Sequence, residues 1–443
     1  MGDKNMKSTP VTYETSRFIL RLLSELTLKK SKVRTMLLVV ATGLLYVSAA
    51  QAGTLLGAEP GDNDTITINS NTLISNITNF GVDDVLTIPT GGVPVTMDSL
   101  IAGQWGTGTV NVLNGGKLVV SGTSLFGQYA PAIGTLVVDG AGSSFTSPSA
   151  IQLGLETMGY LYGTGRMSIT DGGSVSVGSI TGVTAGTVTG IASNSTLTVG
   201  VGSTLTVGGG TGTINNSGTI NMVAGAGAAS GTYTPISAGN WGNPDGTSTI
   251  QALGGVLNSN HTVTVNSAIT TTAGTVASMD LFTNQRGIVT DPSTGKSVGI
   301  GFQATATSNP ITFSAKAIGG SELSSLQSLI GTGNSVLSAW SLSTTGTTVS
   351  STNPVYLSLT AGAGQSLASL IVYDYNGTSW SLLAPADLAY DGKYASFTAL
   401  NLNDVAVVGA GDPTPTPVPA AVWLLGSGLF GLFGIKRKTT LAS

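Results

Sequence analysis

An internal repeat constrains the fold of this chain more than any other feature. Related segments begin at residues 108, 134, 165 and 195, at spacings of 26, 31 and 30 residues. Each segment contains two short runs in which apolar residues alternate with polar ones, separated by a turn with glycine. Repeats of this length are typical of solenoids, in which one unit cannot bury its apolar side chains alone and stacked units share a core. The repeat therefore predicts a parallel β-helix over residues 53–258.

The turns within the repeat carry the dipeptides Asn114-Gly115, Asp139-Gly140 and Asp171-Gly172. Residues of these types adopt the positive φ angles of tight corners. Asp139 and Asp171 occupy equivalent turns of neighbouring units, so we interpret them as turn residues rather than as catalytic carboxylates.

Composition favours an all-β protein over a disordered one. The chain has 63 glycines, 41% hydrophobic residues and only 9% charged residues. Disordered chains are usually charged and poor in apolar residues. Short alternating runs separated by turns rich in Gly, Asn and Asp predict many short strands instead.

The repetition stops near residue 259, and a second domain is predicted over residues 259–411. Asn376-Gly377 is a strong hairpin signal between two apolar runs. Residues 321–330 have the apolar spacing of one short helix. A small antiparallel β-sandwich fits this pattern best. The strand candidates are 311–316, 355–360, 369–375, 380–383, 394–399 and 405–409.

The N-terminal 52 residues have the organisation of a signal peptide with an extended basic n-region. The apolar stretch from Met36 to Val47 follows a group of lysine and arginine residues. Ala50 and Ala52 form the small-x-small pattern that signal peptidase cleaves, so the mature chain is expected to begin near Gly53. A translation start at Met6 is an open alternative.

The C-terminus has the three parts of a membrane anchor. Residues 412–419 form a proline-rich spacer with the motif Pro417-Val418-Pro419. The apolar segment from Ala420 to Ile435 then predicts a single transmembrane helix. Lys436, Arg437 and Lys438 follow as a basic stop on the cytoplasmic side.

This tail, over residues 417–438, resembles the PEP-CTERM sorting signal of Gram-negative bacteria. The family motif is Pro-x-Pro, a transmembrane helix and a short basic end, and its usual middle residue is Glu, where this chain has Val418. The resemblance implies processing near the motif by an exosortase, with the membrane helix as a temporary anchor. A plain anchor without processing is the alternative.

The repeat region also has a resemblance. Residues 134–147, Gly-Thr-Leu-Val-Val-Asp-Gly-Ala-Gly-Ser-Ser-Phe-Thr-Ser, are similar to a repeat shared by autotransporter passenger domains and PEP-CTERM proteins. That resemblance implies a surface or extracellular β-helix, and it brings no catalytic residues.

Charge and cysteine content exclude several classes of function. Between residues 36 and 435, six basic residues stand against 18 acidic ones. A chain so poor in Lys and Arg offers no basic patch, so nucleic acid is not expected as a partner. The absence of cysteine excludes disulfides, thiol catalysis and cysteine–zinc sites.

No catalytic or metal-binding residues, and no cofactor, are assigned from the sequence. His261 is the single histidine, so no two-histidine metal site exists. Asp83 and Asp84 are adjacent, and neighbours on a strand point to opposite faces, which does not suit paired acid–base catalysis. Asp62-Asn63-Asp64 is not followed by a calcium-binding loop of the EF-hand type, and calcium binding is left open.

Two functions remain. The first is a non-enzymatic protein of the cell envelope or extracellular matrix, exported across the inner membrane, anchored transiently by its C-terminus and then placed at the surface or outside the cell. Its expected partners are signal peptidase, an exosortase and the membrane, with an exopolysaccharide or matrix polymer left open. The alternative is a carbohydrate-binding protein or polysaccharide-active enzyme on the β-helix, which requires carboxylates and aromatic residues to converge on one face.

Overall fold

The computed structural model describes residues 65–67, 73–74, 84–88, 94–104, 106–157, 160–161, 163–182 and 189–410. These residues belong to one compact unit. The predicted signal peptide, proline-rich spacer and sorting helix lie outside the described residues. Among the residues that are described, no helix is long and apolar enough to cross a membrane.

The first part of the chain is a parallel β-solenoid, as the repeat predicts. One side is a sheet in which the described residues provide eight parallel strands. They are β1 (Thr65–Thr67), β3 (Asp84–Ile88), β6 (Thr107–Leu113), β9 (Ile133–Asp139), β13 (Thr164–Thr170), β15 (Thr196–Gly200), β18 (Thr219–Val223) and β22 (Thr249–Leu253).

A second sheet of parallel strands, stacked in the same order, forms another side of the solenoid. Its main path consists of β2 (Leu73–Ile74), β4 (Val95–Met97), β7 (Lys117–Val120), β10 (Ser144–Leu153), β14 (Ser174–Ile180), β16 (Thr204–Val207) and β20 (Ile236–Ser237). The ends of β10 and β14 continue into a third side, which is completed by β5 (Leu100–Ala102), β8 (Ser124–Phe126), β17 (Thr213–Asn215) and β21 (Asn240–Gly242).

The register of the first sheet follows the sequence repeat. Gly108 pairs with Gly134, and Gly134 pairs with Gly165, so the starts of successive repeat units lie side by side. Apolar side chains consequently stack in columns inside the solenoid. One column, in which every member is at most 1% exposed, consists of Val110, Leu136, Met167, Leu197 and Ile220. This shared column is the core that a single repeat could not form.

Serine hydroxyls satisfy backbone groups in the turns between β-strands. Ser143 Oγ accepts a hydrogen bond from the Gly115 backbone N–H at 2.9 Å and donates to the Asp139 carbonyl at 2.6 Å. Asn114 and Asp171 have φ angles of 51° and 52°, which confirms the positive φ predicted for these turns. Through these two hydrogen bonds, the Ser143 hydroxyl connects its own turn to the turn of the preceding rung.

Short elements complete the solenoid and lead out of it. They are the hairpin of β11 (Glu156–Thr157) and β12 (Tyr160–Leu161), the 3-10 turn Gly208–Gly210, and an antiparallel sheet of β19 (Gly231–Tyr233), β23 (Val256–Leu257) and β24 (Val263–Val265).

The second part of the chain consists of two six-stranded sheets that share one apolar core. The first sheet contains, in spatial order, β25 (Ile269–Thr272), β27 (Arg286–Thr290), β28 (Ser297–Gly301), β31 (Val355–Thr360), β35 (Tyr394–Ala399) and β34 (Ala389–Tyr390). The second contains β26 (Val276–Asp280), β29 (Pro310–Ala317), β30 (Asn334–Thr345), β36 (Asp404–Ala410), β32 (Ile371–Tyr375) and β33 (Trp380–Leu383). The pairing is antiparallel except between β25 and β27. We call this part the sandwich.

The strands and the helix of the sandwich agree with those predicted from its pattern of apolar residues. Phe313 and Trp340 from one sheet pack in the same cluster as Leu357 and Phe397 from the other. The six predicted strands are present, each with ends within two residues of those predicted. The predicted helix is α1 (Gly320–Leu329), which buries Leu326, and the 3-10 turn Leu367–Ser369 precedes β32.

The solenoid and the sandwich are joined by buried contacts. Val223 and Leu253 at the ends of two solenoid strands pack with Tyr356 of the sandwich. The Ala226 backbone N–H donates to Ser358 Oγ at 3.0 Å. The 225–229 segment that follows β18 therefore lies against β31, and the space beside it forms the candidate site.

Candidate functional site at the junction of solenoid and sandwich

A cavity of about 550 Å³ lies where the solenoid turns meet the sandwich, and we call it the junction cavity. The solenoid contributes Asn114, Asp171 and neighbouring glycines to its wall, and the 225–229 segment contributes small residues. Its aromatic and further acidic lining residues are Tyr233, Tyr356, Tyr390 and Asp391. Because many lining residues are glycine or alanine, the larger polar and aromatic side chains determine the chemistry of the cavity.

Asp139, which ends β9, is buried beside the cavity and is 5% exposed. It pairs in register with Thr170 of the next rung, and Thr170 Oγ1 donates a hydrogen bond to Asp139 Oδ1 at 2.7 Å. Burial disfavours the charged carboxylate and raises the pKa of Asp139 from 3.8 to about 6.

Asp171 directly follows Thr170 and faces the same space. Its Oδ2 atom is buried and has no hydrogen-bond partner among the described residues. Burial, followed by the negative charge of Asp139, raises the pKa of Asp171 from 3.8 to about 9, and a hydrogen bond between the two carboxyls adds to the shift. Both influences disfavour the ionised form of Asp171.

Asp391 brings a third carboxylate from the sandwich, in the turn between β34 and β35. Its Oδ1 accepts hydrogen bonds from the backbone N–H groups of Lys393 at 2.9 Å and Tyr394 at 2.6 Å. Its Oδ2 lies so close to Gly227 that a Cβ added there would stand 2.5 Å away. The charge of Asp391 contributes to the raised pKa values of both Asp139 and Asp171.

Tyr356 closes the cavity from β31 and is 3% exposed. Burial raises the pKa of its hydroxyl well above 10, and the nearby carboxylates of Asp387, Asp171, Asp139 and Asp391 raise it further. The Tyr390 backbone N–H acts in the opposite direction on Asp139 and Asp171, because a hydrogen bond to a carboxylate stabilises its charge. The sandwich thus influences the solenoid carboxyls through the charge of Asp391 and the backbone N–H of Tyr390.

Asp387 forms a separate buried contact between the two parts. Its carboxylate accepts hydrogen bonds from Thr398 Oγ1 at 2.6 Å and from the Thr398 backbone N–H at 3.0 Å. Thr198 on the solenoid donates to the same carboxylate at 3.4 Å. Burial raises the pKa of Asp387. It lines a second cavity of about 450 Å³ that also contains Arg166 and Asn221 of the solenoid.

The geometry of the carboxyl pair limits the chemistry that it can perform. Glycosidases that use two carboxylates hold them about 5–5.5 Å apart for retention, or about 6.5–9.5 Å apart for inversion. The Asp139 and Asp171 carboxyls interact by a hydrogen bond, a closer approach than either spacing. Among the described residues, no group of three or more His, Cys, Asp or Glu side chains is placed to hold a metal ion.

Only some of the candidate residues selected from the sequence lie in the described part of the chain. The sorting motif Pro417–Pro419, the basic stop and the cleavage alanines Ala50 and Ala52 lie outside the described residues, as do Asp62 and Asp83. His261 lies in a turn with φ 60°, stacked on Trp241 at 4.0 Å between ring centroids, and burial lowers its pKa. It is therefore a packed residue.

Sequence reasoning did not anticipate the sandwich half of the junction cavity. The repeat identified Asp139 and Asp171 as residues of equivalent turns, and the structure places them one register position apart, because Asp139 pairs with Thr170. Asp391 is 220 positions further along the chain than Asp171, and Tyr356 lies in an ordinary strand pattern. No local signal connects these residues to the solenoid turns.

No family model matches the chain, and no curated protein or solved structure matches it significantly.

Proposed function

We propose that this protein is an exported, non-enzymatic component of the cell envelope or extracellular matrix, delivered by a PEP-CTERM-type sorting signal. The proposal rests on one main observation: the residues that repeat along the solenoid either fill its apolar core or form its turns. The apolar positions fill one continuous core, and Ser143 and Ser203 bind turn glycines of the preceding rung. A repeat used in this way builds an elongated scaffold without requiring a reaction centre.

The carboxyl pair also supports a non-enzymatic role. Asp139 and Asp171 interact with each other, with Thr170 and with the sandwich. These contacts are those of a structural joint. Together with the terminal signals in the sequence, they favour a scaffold that is carried to the cell surface.

Expression of the full-length tagged chain with and without an exosortase tests the sorting proposal. We expect a shorter, released form only when the enzyme is present, and C-terminal mass spectrometry should place the new end near Pro417–Pro419. Replacing both prolines of the motif by alanine should abolish processing, whereas Pro413→Ala in the spacer should not. Released protein that still contains residues 420–438 would contradict the proposal.

A second candidate function is carbohydrate binding, which the junction cavity favours. Carboxyl groups and the rings of Tyr233, Tyr356 and Tyr390 converge there, and sites of this kind bind ligands through aromatic walls and a few polar groups. Because the charged groups in the wall are acidic, a neutral oligosaccharide is a better candidate than an anionic one.

Calorimetry with neutral hexose and pentose oligosaccharides distinguishes carbohydrate binding from a purely structural role. If the cavity binds sugar, Gly202→Phe should abolish binding, because Gly202 lines the cavity and has no heavy atom within 4 Å of an added Cβ. Ser176→Phe on the exposed face of β14 is the matched control. Heat of binding that is equal in both variants, or absent from the unmodified protein, would remove this candidate.

A further inference from the structure

The second cavity has a polar wall from the solenoid and a mostly apolar wall from the sandwich. The polar wall is the outward face of the first sheet, where the lining side chains form two files across successive rungs. One file consists of Arg166, Thr196 and Thr219, and the other of Thr198, Asn221 and Gln251. The apolar wall includes Pro354, Leu383, Pro385 and Leu400. A cavity of about 450 Å³ with these two walls suits a ligand that has polar edges and an apolar face.

Arg166 is the basic side chain among the described residues that line this cavity. It is half-buried, and its guanidinium forms no hydrogen bond or ion pair with any residue that the structure describes. Arg286, the other arginine of the described chain, instead donates to the carbonyls of Gly225, Ala228 and Asn266. An anion would satisfy the unused donors of Arg166, and a carboxylate matches the planar guanidinium with two parallel hydrogen bonds.

Asn221 offers a second unused donor, and a relay of amide groups fixes its direction. Gln303 Nε2 donates to Gln251 Oε1, and Gln251 Nε2 donates to Asn221 Oδ1 at 2.7 Å. The Asn221 carbonyl oxygen is thereby engaged, whereas its Nδ2 group donates to no described residue. Asn221 is only 4% exposed and lines the cavity. Because a polar group this deeply buried needs a partner, Asn221 indicates a ligand that accepts a hydrogen bond there.

Asp387 is the acidic side chain among the described lining residues, and both of its oxygens are already engaged. The Thr398 backbone N–H donates to Oδ1, and the hydroxyls of Thr398 and Thr198 donate to Oδ2. Burial also raises the pKa of Asp387, which favours its uncharged form. Arg166 is therefore the side chain that determines which charge the cavity accepts.

The two unused donors are well separated. Asn221 lies two rungs from Arg166 and two residues further along its strand. With about 4.8 Å between strands and about 3.3 Å per residue, their Cα atoms are about 12 Å apart. That separation suits an extended ligand with an anion at one end and further acceptors along its length. The hydroxyls of Thr196 and Thr219, which can donate or accept, match the hydroxyls of a sugar.

We propose that the second cavity binds a carboxylate-bearing saccharide, with its carboxylate on the Arg166 guanidinium and a sugar oxygen on the Asn221 amide. The apolar wall then covers the CH groups of the sugar ring. Binding of this kind gives the matrix protein an acidic polysaccharide as its ligand. It depends on neither the sorting signal nor the neutral sugar considered for the junction cavity.

Calorimetry of the full chain with trimers of galacturonate, glucuronate and mannuronate tests this proposal. We expect at least one trimer to bind, and its methyl ester, which has the same sugars without the charges, to bind about 10- to 100-fold more weakly. Acetate and trialanine carry a carboxylate without sugar hydroxyls, and each should bind at least about tenfold more weakly than the trimer.

Variants test the two donors separately. Arg166→Gln should weaken binding about 10- to 100-fold, and Arg166→Lys should recover only part of the affinity, because an ammonium lacks the planar pair of donors. Asn221→Asp should abolish binding, because it replaces the free donor by a carboxylate oxygen while retaining the acceptor for the amide relay. Lys117→Gln, at an exposed position of β7, removes one positive charge outside the cavity and should leave the affinity unchanged. Gly202→Phe in the junction cavity should also have no effect.

The proposal is wrong if none of the three trimers binds, if the methyl ester binds as tightly as the acid, or if Arg166→Gln and Lys117→Gln have equal effects. Equal affinity for trialanine would assign the cavity to a peptide carboxylate, and equal affinity for acetate would assign it to small anions, so either result overturns the saccharide. Loss of binding in Gly202→Phe but not in Arg166→Gln would place the sugar in the junction cavity instead. Circular dichroism confirms that each variant is folded, and the comparison of acid with ester needs only the unmodified protein.

Discussion

Ser195 stands at the register position that glycine occupies in the three preceding repeats, and its Oγ accepts a hydrogen bond from the Gly165 backbone N–H at 2.9 Å. The interaction is buried and connects two rungs that are 30 residues apart in sequence. A serine that interrupts a glycine column thus offers its hydroxyl as the acceptor for a backbone N–H of the preceding rung.

Ser195→Ala should destabilise the protein by about 1–3 kcal/mol, because the Gly165 N–H is left buried without a partner. The measurement is urea unfolding followed by circular dichroism. Ser176→Ala, on the exposed face of β14, is the control and should change the free energy of unfolding by less than about 0.5 kcal/mol. Equal effects of the two substitutions would contradict the role assigned to Ser195.

Gly165→Ala should be more damaging than the loss of the serine hydroxyl. A Cβ at Gly165 would lie 2.2 Å from the Gly154 backbone N and 2.4 Å from Leu153 backbone atoms, which cannot move without disturbing a neighbouring rung. Overpacking of this kind typically costs about 1–3 kcal/mol and occasionally more. We expect the upper end of that range in a denaturant titration.

Gly202→Ala is the matched control for Gly165→Ala. Nothing lies within 4 Å of a Cβ built on Gly202, so the substitution should be neutral or slightly stabilising. A loss of stability at Gly202 equal to that at Gly165 would show that close packing is not the cause.

Arg286→Met should weaken the connection between the 225–229 segment and the sandwich. The guanidinium of Arg286 donates to the carbonyls of Gly225 at 3.0 Å, Ala228 at 2.7 Å and Asn266 at 2.7 Å. Hydrogen bonds from charged groups contribute about 1.5–3 kcal/mol each, so we expect a loss of at least about 3 kcal/mol in thermal or urea unfolding.

Arg286→Lys separates geometry from charge at the same position. A lysine retains the positive charge, but its single ammonium cannot reproduce the planar arrangement of guanidinium donors. We expect it to recover less than half of the stability lost in Arg286→Met. Full recovery would show that charge alone is sufficient.

Asp387→Asn should reduce the dependence of stability on pH. Burial raises the pKa of Asp387 above 3.8 in the folded protein, so its favourable contribution is complete below its ordinary pKa and is lost as the pH rises through the raised value. The melting temperature of the variant should therefore fall less than that of the unmodified protein between pH 4 and pH 8. Asp98→Asn should retain the original dependence, and an unchanged profile in Asp387→Asn would contradict the assignment.

The sandwich shows where sequence patterns were informative and where they were weak. Strands with clear alternation, such as β31 and β35, were predicted within a residue or two of their observed ends. The twelve-residue strand β30 was not predicted, because serine and threonine occupy much of it and reduce the contrast between its two faces. Strands of this kind are recognised only when their neighbours in the sheet are known.

The sequence alone determined the solenoid, because glycines and alternating apolar residues recur in successive rungs, even though the offset between paired strands of the first sheet varies from 20 residues (Thr65 to Val85) to 31 (Ile133 to Thr164). Asp139 and Asp171 could be assigned to the same corner of neighbouring rungs for that reason, but the register pairs Asp139 with Thr170 and so places Asp171 one position further on. The tertiary structure decided that the sandwich packs against those turns, and so brought Asp391 and Tyr356 to the carboxyl pair. That contact depends on two surfaces formed by residues far apart in the chain, and neither periodicity nor local propensity contains information about it.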